Sequence, residues 1–338
     1  AIRTGFGVFY DRFNDDQVLQ LVQSPPLVYS NTANYTTIPN LLATPLSLSP
    51  TNVSGFQRDY QPPTVYNWSF GIQQNIKYGM MLDVAYAGNT QKHLLNTRDL
   101  NAVPYGTNFL PSSIDPTVSG NKPYDSRLLR PMQGYGNVSY LEFAGIGNYN
   151  ALQVQVTKRF SKSLTYHLSY NWSKALSLNN SNGDAVNPVL NYRMRNYGSA
   201  SFDRRQVLTL DYVYNLPEFS QKWNNKFSRI ALDGWQISGV NTHQVGAPSG
   251  IGYSLSYTAD LTGGTGNGLD SRVVTVAKVS DPAPDGQWFN TLAIKPPTAA
   301  YSVNGIGTAA KTLFDLPGLN NWDLSRFKNF RLGSNDAH

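Results

Sequence analysis

The residue types that most often do chemistry are sparse in this chain of 338 residues. There is no cysteine, which excludes disulfides and thiolate metal sites. The four histidines, His93, His167, His243 and His338, do not have the spacing of metal ligands. No nucleophile has a base at a spacing that suggests catalysis. We therefore expect a protein that is not an enzyme and that has no catalytic residue, metal ligand or cofactor.

One glycine-rich segment, residues 262–268, has the composition of a phosphate-binding loop. It lacks the Lys-Ser/Thr pair that such a loop needs, so we interpret it as a flexible surface loop. Asp260, Asn267 and Asp270 lie in or beside this segment and carry oxygen atoms of the kind that calcium prefers. The sequence leaves open whether residues 260–270 bind calcium.

Aromatic residues in the segments 89–149 and 246–321 are the candidates for ligand binding. Tyrosine and tryptophan offer amphipathic contact area at low entropic cost, which suits sugars, peptides or other amphipathic ligands. An equal alternative is that these side chains only pack the loops. The candidates are Tyr105, Tyr124, Tyr135, Tyr140, Tyr253, Tyr257, Trp288 and Tyr301.

The charge of the chain does not favour nucleic acid as a partner. The net charge is +6, but lysine and arginine are scattered singly along the chain, whereas phosphate contacts need a basic patch or stripe. Only 14% of the residues are charged, compared with about 25% in ordinary globular domains. No apolar run is long enough for a membrane-spanning helix, which takes roughly 18 residues.

The elements that must position the candidate residues are strands, because apolar and polar residues alternate with a period of two. In 164–173, for example, Leu164, Tyr166 and Leu168 alternate with Thr165, His167 and Ser169. The pattern predicts about eight strands, at 2–10, 64–78, 80–88, 150–160, 164–174, 206–216, 230–245 and 322–332. Each is long enough to cross a bilayer, which takes about 9–11 residues.

The links between these strands alternate between short and long. Tight turns at Tyr78-Gly79 and at 161–163, and a dozen residues from Pro217, make the short links. The long links are rich in Gly, Pro, Asn and Ser and cover 11–63, 89–149, 175–205 and 246–321. All long links therefore fall at one end of the sheet, as in outer-membrane barrels with short periplasmic turns and long extracellular loops.

The apolar strand faces carry aromatic residues toward both ends and aliphatic residues between them, which is typical of a face in contact with lipid. A soluble β-core would explain the alternation but neither the aromatic ends nor the unequal links. We expect lipid beside Phe70, Val154, Leu168 and Leu210. We expect an aqueous lumen beside Gln73, Gln155, Asn171 and Asp211. The fold class is thus all-β, an antiparallel meander that forms a sector of a large transmembrane barrel.

Six short motifs add to this pattern and occur in a characteristic order. They are residues 3–13 (RTGFGVFYDRF), 148–153 (NYNALQ), 170–175 (YNWSKA), 202–206 (FDRRQ), 233–236 (DGWQ) and 321–325 (NWDLS). Together they resemble the later part of the barrel of TonB-dependent outer-membrane receptors, in the branch with a carboxypeptidase-regulatory-like domain ahead of the plug.

The resemblance implies ligand uptake across the outer membrane, with lipid, an extracellular ligand, a plug domain and the TonB system as partners. Such barrels have about 22 strands, so we expect residues 1–338 to be part of a barrel whose plug and other strands lie outside this sequence. Strands 2–10 and 322–332 should then be open edges. An outer-membrane adhesin or assembly protein is the first alternative. A secreted soluble all-β protein that binds glycans is the second.

Overall fold

A computed structural model of the chain describes most of these elements. The described residues are 1–12, 19, 21–25, 27–28, 37–40, 51–104, 107, 110–120, 122–161, 163–181, 183–186, 192–222, 225–253, 272–284, 286–297 and 307–330. Three candidate residues, Tyr105, Tyr257 and Tyr301, lie outside this part of the chain. So do the glycine-rich loop and the three residues considered for calcium.

Fifteen strands occur in the described residues, and eight of them are long. The long strands are β1 (Ile2–Tyr10), β3 (Thr64–Ile76), β4 (Met80–Asp99), β5 (Tyr135–Ser161), β6 (Leu164–Ser177), β9 (Gln206–Asn215), β10 (Trp235–Gln244) and β15 (Leu319–Lys328). The short strands are β2 (Thr51–Phe56), β7 (Asp184–Val186), β8 (Gly198–Ser199), β11 (Pro248–Ser249), β12 (Val274–Thr275), β13 (Ile294–Lys295) and β14 (Phe314–Asp315).

The helices of the described residues are short. They are α1 (Ser126–Leu129), α2 (Tyr192–Asn196) and α3 (Lys226–Leu232), together with 3-10 turns at Ile38–Asn40, Lys77–Gly79, Pro111–Ser113, Phe219–Lys222 and Thr291–Ala293. Within the described ranges, no helix combines the length and the apolar character needed to cross a membrane.

The eight long strands form an antiparallel meander in the order β1-β3-β4-β5-β6-β9-β10-β15. Two ladders expected from the tight turns are present, since β3 pairs with β4 from Thr64–Lys92 to Ile76–Met80 and β5 pairs with β6 as well. The predicted all-β meander is therefore confirmed. Among the described strands β1 and β15 are the two edges, with no ladder between them, as expected for an open sheet.

Several predicted strand bounds were wrong. Strand β4 continues to Asp99 and β5 begins at Tyr135, so much of the segment 89–149 is strand. These extensions are paired with each other, but their polar and glycine-rich sequence hides the period of two. The predicted strand 230–245 begins only at Trp235, because residues 226–232 form α3, which Asn225 caps. The last strand ends at Lys328, four residues before the predicted bound.

The pairing registers show which residues share a face, because directly paired residues of antiparallel strands point to the same side. One row joins Ile72, Val84 and Val154, and the next joins Leu82, Val156, Leu168 and Leu210. We call this side the apolar face. The opposite, polar face carries rows such as Gln73-Asp83-Gln155-Ser169-Thr209. There the hydroxyl of Thr157 and Nδ1 of His167 lie 2.9 Å apart.

Aromatic rows flank the aliphatic rows of the apolar face. Toward the long links, Phe70 pairs with Tyr86, and Leu152 beside them pairs with Trp172. Toward the short turns, Tyr166 pairs with Tyr212, and Leu164 pairs with Tyr214. The registers therefore align the aromatic residues of neighbouring strands at two levels of the sheet.

The short-turn end depends on backbone that only a few residue types adopt readily. Tyr78 and Gly79 both have positive φ, at 64° and 68°, so the chain reverses within three residues. Gly234 has φ 72° and joins α3 to β10. A Cβ at this position would collide with the carbonyl oxygen of Asn329, so glycine is needed both for its φ and for its small size.

Candidate functional site

The long-link end of the sheet carries an ordered structure that we call the loop head. It consists of β2, β7, the ends of β4 and β5, and the described residues of 100–134. Strand β2 pairs parallel with β5, and β7 pairs parallel with β4, which makes a four-stranded extension beyond the meander. Its core is formed by Leu95, Leu141 and Phe143, with Phe56 packed against them.

A buried ion pair joins two parts of the loop head. The carboxylate of Asp99 accepts hydrogen bonds from the guanidinium of Arg130 at 3.3 Å and from the backbone N–H groups of Asn101 and Val138. Both charged side chains are at least 94% buried, with 3% of Asp99 and 6% of Arg130 exposed. Buried charges of this kind must be paired and hydrogen bonded, and Arg130 also donates to the carbonyl of Asn101 at 2.8 Å.

The buried amide of Asn101 then fixes the backbone that leads into β5. Its Nδ2 donates to the carbonyl oxygens of Met132, Tyr135 and Gly136, and its Oδ1 accepts from the N–H of Met132 at 2.6 Å. The Asn101 amide thus ties three backbone positions together, and Arg130 also donates to the carbonyl of Gly136. The arrangement holds the backbone at Tyr135, whose side chain is exposed.

A second polar cluster bridges β4 and β5 inside the loop head. Glu142 is buried and accepts hydrogen bonds from Asn96 and from Arg98, each at 3.1 Å. Arg98 is about one-quarter exposed, so this pair lies closer to the surface than the pair of Asp99 and Arg130. The two clusters together hold the extension by side-chain hydrogen bonds in addition to its strand ladders.

The described candidate residues fall into two groups. Tyr124, Tyr135 and Tyr140 lie in the loop head, where Tyr140 is paired with Arg98 of β4 and Gly55 of β2. Tyr253 and Trp288 lie in a second unit, which we call the cavity lobe, formed by the described residues of 248–315. The structure therefore divides the predicted aromatic site between two units at the same end of the sheet.

An open cleft of about 560 Å³, which we call the aromatic cavity, lies between the cavity lobe and the residues Ser199 and Arg205. Trp288 lines it with a side chain that is 64% exposed, and its indole N–H donates to the carbonyl of Asp315 at 3.1 Å. Phe289 and Phe314 line it too, and their rings stack at 4.4 Å. The polar side chains of the lining are Ser199, Arg205, Ser280, Asp281, Thr312 and Asp315.

A second cavity, of about 440 Å³, adjoins the first and shares Ser199 and Thr312 with it. We call it the cationic cavity, because Arg195, Arg272 and Lys311 all line it. Each donates to backbone carbonyl oxygens: Arg195 to Gly307, Arg272 to Ala309 and Arg195, and Lys311 to Ser177 and Leu178. These hydrogen bonds fix the positions of three basic side chains in the wall of the cationic cavity.

The environment of Lys311 lowers the pKa of its ammonium group. Burial disfavours the charged ammonium, and the nearby positive charge of Arg272 adds to this effect, whereas the carboxylate of Asp184 opposes it. The pKa of Lys311 is thereby lowered to about 8. The charge of the cationic cavity therefore changes at a pH just above neutral.

Two of the sequence motifs meet at the base of the cavity lobe. Lys174 donates to the buried carboxylate of Asp203 at 3.0 Å and also to the hydroxyl of Ser199. The other oxygen of Asp203 accepts from the backbone N–H of Ala175 at 2.8 Å. The motifs 170–175 and 202–206 are thus two halves of one junction, which ties β8 and the start of β9 to the end of β6.

The residues that sequence reasoning missed are charged and distant from their partners along the chain. Asp99-Leu100-Asn101 has the residue types of a turn after a strand, which was the available signal for the loop head. Nothing in the sequence links Asp99 to Arg130, and nothing links Lys311 to Ser177. Among the described residues no group of three or more His, Cys, Asp or Glu side chains could hold a metal ion.

Comparison with known proteins agrees with this architecture. The chain matches the family described as "Outer membrane beta barrel domain" over residues 1–338. No curated protein matches it. Among solved structures it is similar to the outer membrane transporter YddB from Escherichia coli, with 9% identity and a TM-score of 0.44 over 75% of this chain. The chain spans 28% of the length of that transporter. It belongs to the outer membrane beta-barrel domain family, and its location is the bacterial outer membrane.

Proposed function

We propose that this chain forms part of the barrel of a TonB-dependent receptor, which binds a ligand at the long-link end and takes it up across the outer membrane. The long-link end then faces the cell exterior, and the short turns face the periplasm. The chain contributes binding and passage rather than catalysis. Energy coupling and the plug would be supplied by parts of the receptor beyond these residues.

The observation that carries this proposal is the aromatic cavity. It lies at the long-link end, where Trp288 presents an exposed ring beside hydroxyl, carboxylate and guanidinium groups. Concave sites with an aromatic wall and a few convergent polar groups are typical of small-ligand binding. The polar face of the sheet supports the same proposal, because its rows of Gln, Asn, Ser and Thr suit a hydrated interior.

The test uses the complete protein in its own cells. We expect deletion of the gene to abolish growth on at least one saccharide or peptide of a panel of sole nutrients, and loss of TonB to abolish growth on the same nutrient. Trp288→Ala should slow growth when that nutrient is limiting, because the ring contact is lost. Leu292→Ala is the matched control, since Leu292 is 65% exposed in the same lobe but does not line the cavity.

An adhesin is the second candidate, and the loop head is the observation that favours it. The four-stranded extension is internally packed and cross-linked by buried polar groups, which would suit a surface that binds other cells or proteins. Gene deletion that leaves growth on every nutrient unchanged but lowers attachment of cells to a surface would overturn the uptake proposal in favour of adhesion.

A further inference from the structure

We propose that the two adjoining cavities form one site for an acidic oligosaccharide, with a sugar ring against Trp288 and a carboxylate of the next units in the cationic cavity. This inference rests on the proposed function and specifies its ligand class. The aromatic and cationic cavities share Ser199 and Thr312 as a common wall. The shared residues make the two cavities neighbours, and the proposed ligand, built from linked rings, would extend from one into the other.

The cationic cavity supplies the recognition of negative charge. Arg195, Arg272 and Lys311 surround about 440 Å³ of space, and charge-assisted hydrogen bonds to carboxylate are among the strongest that proteins make. The ammonium of Lys311 has three N–H donors, and two of them bond the carbonyl oxygens of Ser177 and Leu178. Within the described part of the chain the third donor has no acceptor, and the ligand carboxylate would accept from it.

The aromatic cavity explains why the ligand is a saccharide rather than an acidic peptide. Two of its lining residues, Asp281 and Asp315, are carboxylates, which accept hydrogen bonds from the hydroxyl groups that every sugar ring carries and that the side chains of an acidic peptide lack. The indole of Trp288 offers an apolar face for the C–H groups of a sugar ring. A ligand whose rings carry hydroxyl groups as well as carboxylates, such as a galacturonate chain, has a partner in each cavity.

If Lys311 binds the ligand carboxylate, the affinity should depend on pH, an effect that loop packing alone would not produce. Because the charged ammonium attracts the ligand, binding should be strong below the pKa of about 8 and should weaken as the pH rises through that value. A uronic acid carboxylate stays ionised throughout this range. Two other charged groups act on Lys311: Arg272, whose positive charge lowers its pKa, and Asp184, whose carboxylate raises it. Arg195 lines the same cavity.

The experiment measures binding by calorimetry on the complete protein purified in detergent, at low salt and pH 7. The probe is tetragalacturonate, and the neutral tetramer of galactose and hexaglutamate are the comparison ligands. We expect tetragalacturonate to bind best. Lys311→Met should weaken it about tenfold, the loss expected when one charge-assisted hydrogen bond is removed. Lys278→Met is the matched control, because Lys278 is exposed in the same lobe and lines neither cavity.

A second variant keeps the test valid if Lys311→Met fails to fold. Lys311→Arg retains the positive charge, so it should bind tetragalacturonate at pH 7 but lose the fall in affinity between pH 7 and 9 that the unmodified protein shows. Equal losses in Lys311→Met and Lys278→Met, tighter binding of hexaglutamate, or no binding of tetragalacturonate would each overturn the inference.

The outcome is separable from that of the proposed function, because binding in detergent needs neither TonB nor a plug. Tetragalacturonate binding without TonB-dependent growth on any nutrient would contradict uptake and support the site. TonB-dependent growth on another nutrient, with no binding of tetragalacturonate, would contradict the site and leave uptake supported.

Discussion

The meander and the loop head are both built from β4 and β5, yet different forces hold them. In the meander, backbone ladders run without interruption from Met80–Lys158 to Gln91–Gly147. In the loop head the register of the same two strands shifts twice, between Gln91 and Leu94 and between Leu94 and Asn96. Beside these shifts the side chain of Asn179 donates to the carbonyl of Leu95. Farther along, Asp99, Asn101 and Arg130 bond the backbone at Asn101, Gly136 and Val138.

Backbone ladders and side-chain hydrogen bonds each suit a different environment. In lipid every backbone group must be satisfied within the protein, and regular ladders between strands achieve this. Outside the lipid, irregular loops become possible, but their buried backbone groups still need partners. Polar side chains supply these partners in the loop head. The loop head should therefore be most sensitive to the loss of a buried polar group. The meander should be most sensitive to a charge placed on its apolar face.

The largest effect is expected for Arg130→Met in the loop head. This change leaves the carboxylate of Asp99 buried without its ion pair, and loss of one partner of a buried pair costs about 3–5 kcal/mol. Hydrogen exchange of residues 99–138 should accelerate accordingly, while the meander stays protected. The control is Arg127→Met. Arg127 and its partner Asp125 are more than half exposed, and surface pairs contribute less than about 1 kcal/mol. Equal acceleration in both variants would contradict the role given to the buried pair.

A charge on the apolar face should have the next largest effect, and it should act on the meander. Leu168 lies in the row of Leu82, Val156 and Leu210. Its replacement by arginine, Leu168→Arg, should lower the free energy of unfolding by about 2–4 kcal/mol, the cost of arginine near the bilayer midplane. Denaturant titration in lipid vesicles measures this loss. Asn171→Arg on the polar face should cost less. Equal losses would contradict the assignment of lipid and lumen to the two faces.

The smallest effect concerns the short-turn end, where two glycines share a positive φ but differ in their surroundings. Gly79→Ala should cost about 1 kcal/mol, because only the left-handed backbone is strained and nothing lies near the new Cβ. Gly234→Ala should cost about 2–3 kcal/mol, since its Cβ also meets the carbonyl of Asn329. The same denaturant titration compares them, and a larger loss at Gly79 would contradict the account of Gly234.

The sequence determined the meander to a large extent. Residues 164–173 alternate strictly, and the turn at Tyr78-Gly79 leaves no room for a crossover, so local pattern and short links set both the faces and the neighbours of the strands. Strand β1 was predicted with the bounds that it has, Ile2–Tyr10. Such features depend on residues close together in the chain, and they are readable for that reason.

Only the tertiary structure decided the loop head and the two cavities. Arg130 meets Asp99 across 31 positions of the chain, and Lys311 meets Ser177 across 134. The short strands β2 and β7 pair in parallel with strands far from them in sequence. No turn and no periodicity in the sequence predicts those pairings. A buried polar group takes whichever partner the fold brings within about 3 Å, and that proximity depends on how distant segments pack together rather than on any local pattern.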